Sequence, residues 1–175
     1  MADYDKMQPG GSPRVPAELA QVIRGAIDVP DENGAVQLRM TIGGGVADER
    51  YDFHFEATSA GVVRADMSCR MTGRRVDPAI GALSRADIVG LLLAAEAVQS
   101  AGVRLPPGPV PPCSLLGRLE ILGGAQRMSF VFMADAEQAK QAGMEPPREL
   151  AALVDRVFEV STKGAKAAGT QSLRP

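Results

Sequence analysis

Asp52, His54 and Glu56 are the residues of this chain whose types and spacing come closest to a reaction centre. Alternate residues of a β-strand project to the same side, so two carboxylates and an imidazole at these positions share one face. Such a set can ligate a metal ion or exchange protons. Positions two apart on a strand are roughly 6.5 to 7 Å apart, so closing on one ion needs a ligand from a neighbouring strand. The polar face of a half-exposed sheet produces the same pattern, and the spacing favours that reading.

Other groups with chemical capacity are weaker. Gly43, Gly44 and Gly45 follow a strand pattern, as phosphate-binding loops do, but no Lys and Ser/Thr pair comes after them and no helix opens there, so they read as a hairpin turn. Cys113 and Ser114 lack the elbow glycines of a nucleophile motif, and the single histidine lies in a different segment. Arg70, Arg74 and Arg75 could receive an acidic group, though a solvated strand end carries such residues as well. No catalytic residue, cofactor or metal ligand is assigned on this basis, and the chain is not expected to be an enzyme.

The charge balance, 19 Lys and Arg against 21 Asp and Glu for a net charge of −2, lacks the basic excess of a phosphate-binding surface and disfavours nucleic acid as a partner. The two cysteines, Cys69 and Cys113, lie far apart and are expected as reduced thiols in the cytosol. Met1 to Gly11 is polar, with no apolar run that would serve as a signal peptide, and no stretch has the length and apolarity of a membrane span. A cytoplasmic protein is expected.

The elements that must position these residues are legible from periodicity. Three strands are expected between Ala35 and Met71, with Val36, Leu38, Met40 and Ile42, then Tyr51, Phe53 and Phe55, then Val63, Ala65, Met67, Cys69 and Met71 on one apolar face. A short helix precedes them, with Leu19, Val22, Ile23 and Ala26 at helical spacing. The segment 72–83 is rich in turn formers and reads as a loop. A second helix opens at Ser84, with Asp87 in capping position and a stop at Gly102. Arg104 to Pro112 holds five prolines and is a crossing loop. A strand pair around Gly123 and Gly124 follows, then a polar segment from Asp135 to Gly143 with room for one helical turn, and a closing helix that buries Leu150, Leu153, Val154, Val157 and Phe158.

The expected fold is therefore α+β, an antiparallel sheet of about five strands in the order α-β-β-β-α-β-β-α with helices packed on the sheet. The expected boundaries are a flexible N-terminal tail (1–15), one domain (16–162) and a flexible C-terminal tail (163–175). In the second helix, Ile88, Leu91, Leu92, Ala95 and Val98 form the main apolar stripe, while Val89 and Leu93 lie beside it and mark a candidate interface.

The short first helix, the turn at Asp31 to Gly34, the three-strand meander, the helix from Ser84, the later strand pair and the closing helix together resemble the small, acidic chaperones of type III secretion systems and related stand-alone domains. The resemblance spans roughly Pro16 to Ser161. It implies a homodimer and a non-enzymatic role, a chaperone or adaptor that holds an extended segment of a partner protein. Alternatives are an accessory subunit of a larger complex, or a metal-binding enzyme using Asp52, His54 and Glu56.

Overall fold

The alternation from Val36 to Ile42 folds as strand β1 (Val36–Gly44), which buries Val36, Leu38, Met40 and Ile42 and exposes Arg39 and Thr41. β2 (Tyr51–Thr58) and β3 (Val62–Cys69) follow as antiparallel neighbours, burying Tyr51, Phe53, Phe55 and Ala57, then Val63, Ala65 and Met67. The computed structural model describes residues 17–45, 50–100 and 111–166. The expected N-terminal tail, the turn at Asp48, the helix stop at Gly102, residues 104–110 of the proline-rich loop and residues 167–175 lie outside them.

Among the described residues three more strands, β4 (Arg74–Ala82), β5 (Leu115–Gly123) and β6 (Gln126–Met133), make a six-stranded sheet in the order β4-β3-β2-β1-β5-β6, all neighbours antiparallel. The additional strand is β4 (Arg74–Ala82), in the segment expected to be a loop. Its Asp77 and Pro78 together face the single residue Asp66 of β3, because the register jumps from Ala65↔Ala79 to Met67↔Val76. Proline has no N–H to donate to a ladder, so it is tolerated in this outermost strand and at this bulge. The apolar alternation stops at Cys69 rather than Met71, which sits in the turn before β4 and is 65% exposed.

Among the described residues four helices complete the α+β fold: α1 (Ala17–Asp28), α2 (Arg85–Ser100), α3 (Ala136–Ala142) and α4 (Arg148–Lys166). α1 packs over β1, β5 (Leu115–Gly123) and β6 (Gln126–Met133), and α4 over β3 and β4, with α2 against both helices. Phe158 of α4 meets Phe53 of β2 with ring centroids 5.0 Å apart. The capping of α2 is as expected: Ser84 Oγ accepts the Asp87 N–H and donates to the Asp87 carboxylate. The polar segment forms a full seven-residue helix, α3, because Asp135 caps its start through the Gln138 N–H and Gly143, at φ +65°, closes its end. α4 runs past Ser161 to Lys166, so Lys163 belongs to the helix; Val160 and Ser161 are buried and Lys163 reaches Asp87 of α2 at 2.7 Å.

The register of β1 is anchored by the turn before it. Asp31 accepts hydrogen bonds from the Asn33 and Ala35 N–H groups and from the buried Ser59 hydroxyl, which itself accepts the Val36 N–H at 3.0 Å. The Ser59 hydroxyl, followed by these backbone donors, holds the Asp31 carboxyl below its ordinary pKa. Ser59→Ala is expected to cost about 1–3 kcal/mol in urea denaturation at pH 7, since the buried Val36 N–H loses a partner. A depressed carboxyl pKa stabilises the fold above the ordinary value and ceases to do so as pH falls through the folded one. The gap between wild type and Ser59→Ala should therefore narrow, without closing, when the melts are repeated near pH 3; a gap unchanged with pH would refute the Asp31 contribution.

Candidate binding edge and groove

Helices cover one face of the sheet, and the other carries its charge. Register places Arg64, Glu56, Arg39 and Glu120 side by side across β3, β2, β1 and β5, a row of alternating sign. Arg39 lies 3.6 Å from Glu56, and Glu120 pairs with Arg118 at 3.6 Å and with Arg127. Opposite charges on directly facing strand positions support pairing, each by a few tenths of a kcal/mol to about 1 kcal/mol.

Asp52, His54 and Glu56 are on this open face, as their spacing requires, yet each is engaged with a different neighbour. Asp52 accepts from Arg50 at 2.9 Å, His54 Nδ1 donates to Asp66 Oδ1 at 2.9 Å, and Glu56 pairs with Arg39. Among the described residues, no group of three His, Cys, Asp or Glu side chains is arranged to hold a metal ion. His54 and Asp66 instead line a shallow hollow of about 440 Å³ together with Arg39, Thr41, Glu56 and Arg64.

The remaining sequence candidates separate. Gly44 ends β1 at φ +132°, and a Cβ there would collide with the Ser114 carbonyl, so this glycine serves a close backbone approach. Cys113 is exposed, while Ser114 is buried and donates to the Pro111 carbonyl. Cys69, half-buried, has its thiol held below the ordinary pKa by hydrogen bonding to Thr72, with a smaller contribution from Arg74. Arg75 pairs with Asp77 at 2.7 Å. On α2, Leu93 is 46% exposed and Val89 half-buried, whereas Ile88, Leu91, Leu92, Ala95 and Val98 are in the core.

The two sheet edges, which the sequence reading did not single out, are unlike one another. β4 is blunted by Pro78, the bulge, and the charges of Arg74, Arg75 and Asp77. β6, with sequence QRMSFVFM, has no proline and one charge, Arg127. The Ala134 N–H donates to the Leu115 carbonyl. Alternation from that pair makes Gly117–Phe132, Leu119–Phe130 and Ile121–Met128 the hydrogen-bonded pairs. The N–H and C=O groups of Arg127, Ser129 and Val131 consequently point away from β5, and all three side chains are exposed. At the C-terminal end of this edge opens a groove of about 430 Å³ between β6, α3 and α4, lined by Phe132, Met133, Pro146, Val154 and Phe158, with Asp135 and Asp155 in its wall. Its members come from three segments, so only the strand order and the crossing of α4 assemble it.

No protein-family model and no curated protein matches the chain.

His54→Ala should leave stability within about 0.5 kcal/mol by thermal or urea denaturation, because its pair with Asp66 is solvent-exposed. Loss of stoichiometric bound metal in the variant, read by elemental analysis against wild type, would restore the metal reading.

Proposed function

We propose that the chain is a non-enzymatic binding protein, a cytoplasmic chaperone or adaptor that holds an extended segment of a partner protein along the outer edge of β6. The asymmetry of the two edges carries this reading. An added strand needs a row of outward N–H and C=O groups and space for its alternate side chains. β6 offers the first through Arg127, Ser129 and Val131, and the adjoining groove supplies the second. The order of elements, with β4 and α3 added, supports the same class of protein through its resemblance to type III secretion chaperones.

Association of two copies through α2 belongs to the same reading. The three charged residues in the described part of α2 are turned sideways: Arg85 donates to the Ala26 and Ile27 carbonyls, Asp87 pairs with Arg156 and Lys163, and Glu96 pairs with Arg24. Ala86, Val89, Leu93 and Ala97 recur on the outer face, so that face is apolar from Ala86 to Ala97. An apolar stripe repeated on an identical copy is self-complementary about a two-fold axis.

Two measurements test these claims. Ser129→Pro removes an N–H that points away from β5, so the variant should fold, by circular dichroism, and lose the partner that co-purifies with wild type and is identified by mass spectrometry. Retention of that partner at wild-type level would exclude the β6 edge. Leu93→Glu should give a folded monomer by light scattering, because the association alone loses apolar burial and gains an unpaired charge. A variant that unfolds would show that Leu93 supports the fold rather than an interface, and a wild type that is monomeric at high concentration would remove the dimer.

A further inference from the structure

We propose that the hollow on the open face of the sheet takes a small carboxylate with a hydrogen-bond donor on the adjacent carbon, an α-hydroxy or α-amino acid. This site is separate from the β6 edge and does not depend on strand capture there. Register lays it out in two rows. Asp66, His54 and Thr41 face one another across β3, β2 and β1, and Arg64, Glu56 and Arg39 do so in the next row on the same face. These six residues line the hollow of about 440 Å³.

Internal pairing leaves particular groups over. Glu56 is matched by Arg39 at 3.6 Å, and Asp66 by His54 at 2.9 Å. Arg64 is exposed and, among the described residues, forms no hydrogen bond or ion pair. Its planar fork of N–H donors is therefore open to a carboxylate, which it can meet with two parallel bonds. The imidazole has one commitment. A carboxylate only accepts, so the contact with Asp66 puts the ring proton on Nδ1 and leaves Nε2 as an acceptor. Thr41, facing His54 from β1, adds an exposed hydroxyl that has no partner among the described residues.

A cation, an acceptor and a hydroxyl held on one sheet discriminate among anions. A plain carboxylate engages Arg64 and leaves Nε2 unused. A phosphate dianion would bring two charges beside Glu56 and Asp66 and set acceptor oxygens against the Nε2 lone pair. A hydroxyl or ammonium next to the carboxylate instead donates to Nε2, while a single negative charge rests on Arg64.

Amide chemical shifts of the nitrogen-15-labelled full chain, followed during titration at neutral pH, test this. Lactate and alanine should move the amides of Thr41, His54 and Arg64, with dissociation constants on the order of 1–10 mM for a few solvent-exposed hydrogen bonds. Propionate, which lacks the donor, should bind about 3- to 10-fold more weakly, and inorganic phosphate no more tightly than propionate. A response to lactate alone or to alanine alone supports the site and identifies its donor as hydroxyl or ammonium. Arg64→Gln should weaken binding about 10-fold, and His54→Ala should erase the preference over propionate. Both side chains are exposed, so both variants should keep the wild-type circular dichroism, and the wild-type comparison of ligands stands without them. Equal affinity for propionate, tighter binding of phosphate, or indifference to Arg64→Gln overturns the inference, as does the absence of shifts at these amides up to about 50 mM ligand.

Discussion

The structure depends on the register of β1. It is the strand with β2 on one side and β5 on the other, and it joins the N-terminal meander to the later hairpin. A slip of one residue would turn Arg39 and Thr41 into the core and Leu38 and Met40 out of it. That alternative is blocked twice over. Val36, Leu38, Met40 and Ile42 are each at most 2% exposed, and the Asp31–Ser59 hydrogen bonds fix the strand at its first residue. Every property of the open face, including the alternating charge row, is inherited from this register.

The helical layer is held by a different balance. α1 and α4 contact the sheet, while α2 is clasped between them by apolar packing and by polar contacts at its N-terminal end. There the Asp87 carboxyl is held below its ordinary pKa by hydrogen bonds from Lys163 and Ser84, with Arg156 adding its charge. Because the charged side chains of α2 reach sideways to its neighbours, its outer face is left to Ala86, Val89, Leu93 and Ala97. The same contacts that secure the helix thus determine what it shows to solvent.

Much of this architecture is legible in the sequence because alternation and helical spacing are local properties. The strands from Val36 to Cys69 and from Leu115 to Met133, and the helices at Leu19, Ser84 and Leu150, all follow from periodicity. β4 is not legible, since Asp77, Pro78 and Gly81 read as loop formers and only its outermost place in the sheet makes them compatible with a strand. The extension of α4 to Lys166 is hidden for a similar reason: Lys163 gains its contact from α2, far away in the chain. The candidate site is least legible of all. Asp52, His54 and Glu56 share a face as read, but their partners come from other positions on the sheet. An edge is defined by what does not pair with it, and the groove joins residues from β6, α3 and α4. The one local hint is that β6 carries apolar residues on both faces near its end, Val131 and Met133 as well as Phe130 and Phe132.

The bulge at Asp77–Pro78 has a consequence for assembly. A sheet that offers complementary open edges at both ends can recruit further strands without limit, each addition regenerating the growing end. Here one end terminates growth. A strand added at β6 finds no continuation through β4, and a β6-to-β4 contact between copies, the head-to-tail arrangement that would propagate into a fibre, meets a missing donor and a broken ladder. The bulge therefore closes the β4 end of the sheet to a further strand and leaves β6 as the edge with an unbroken ladder among the described residues.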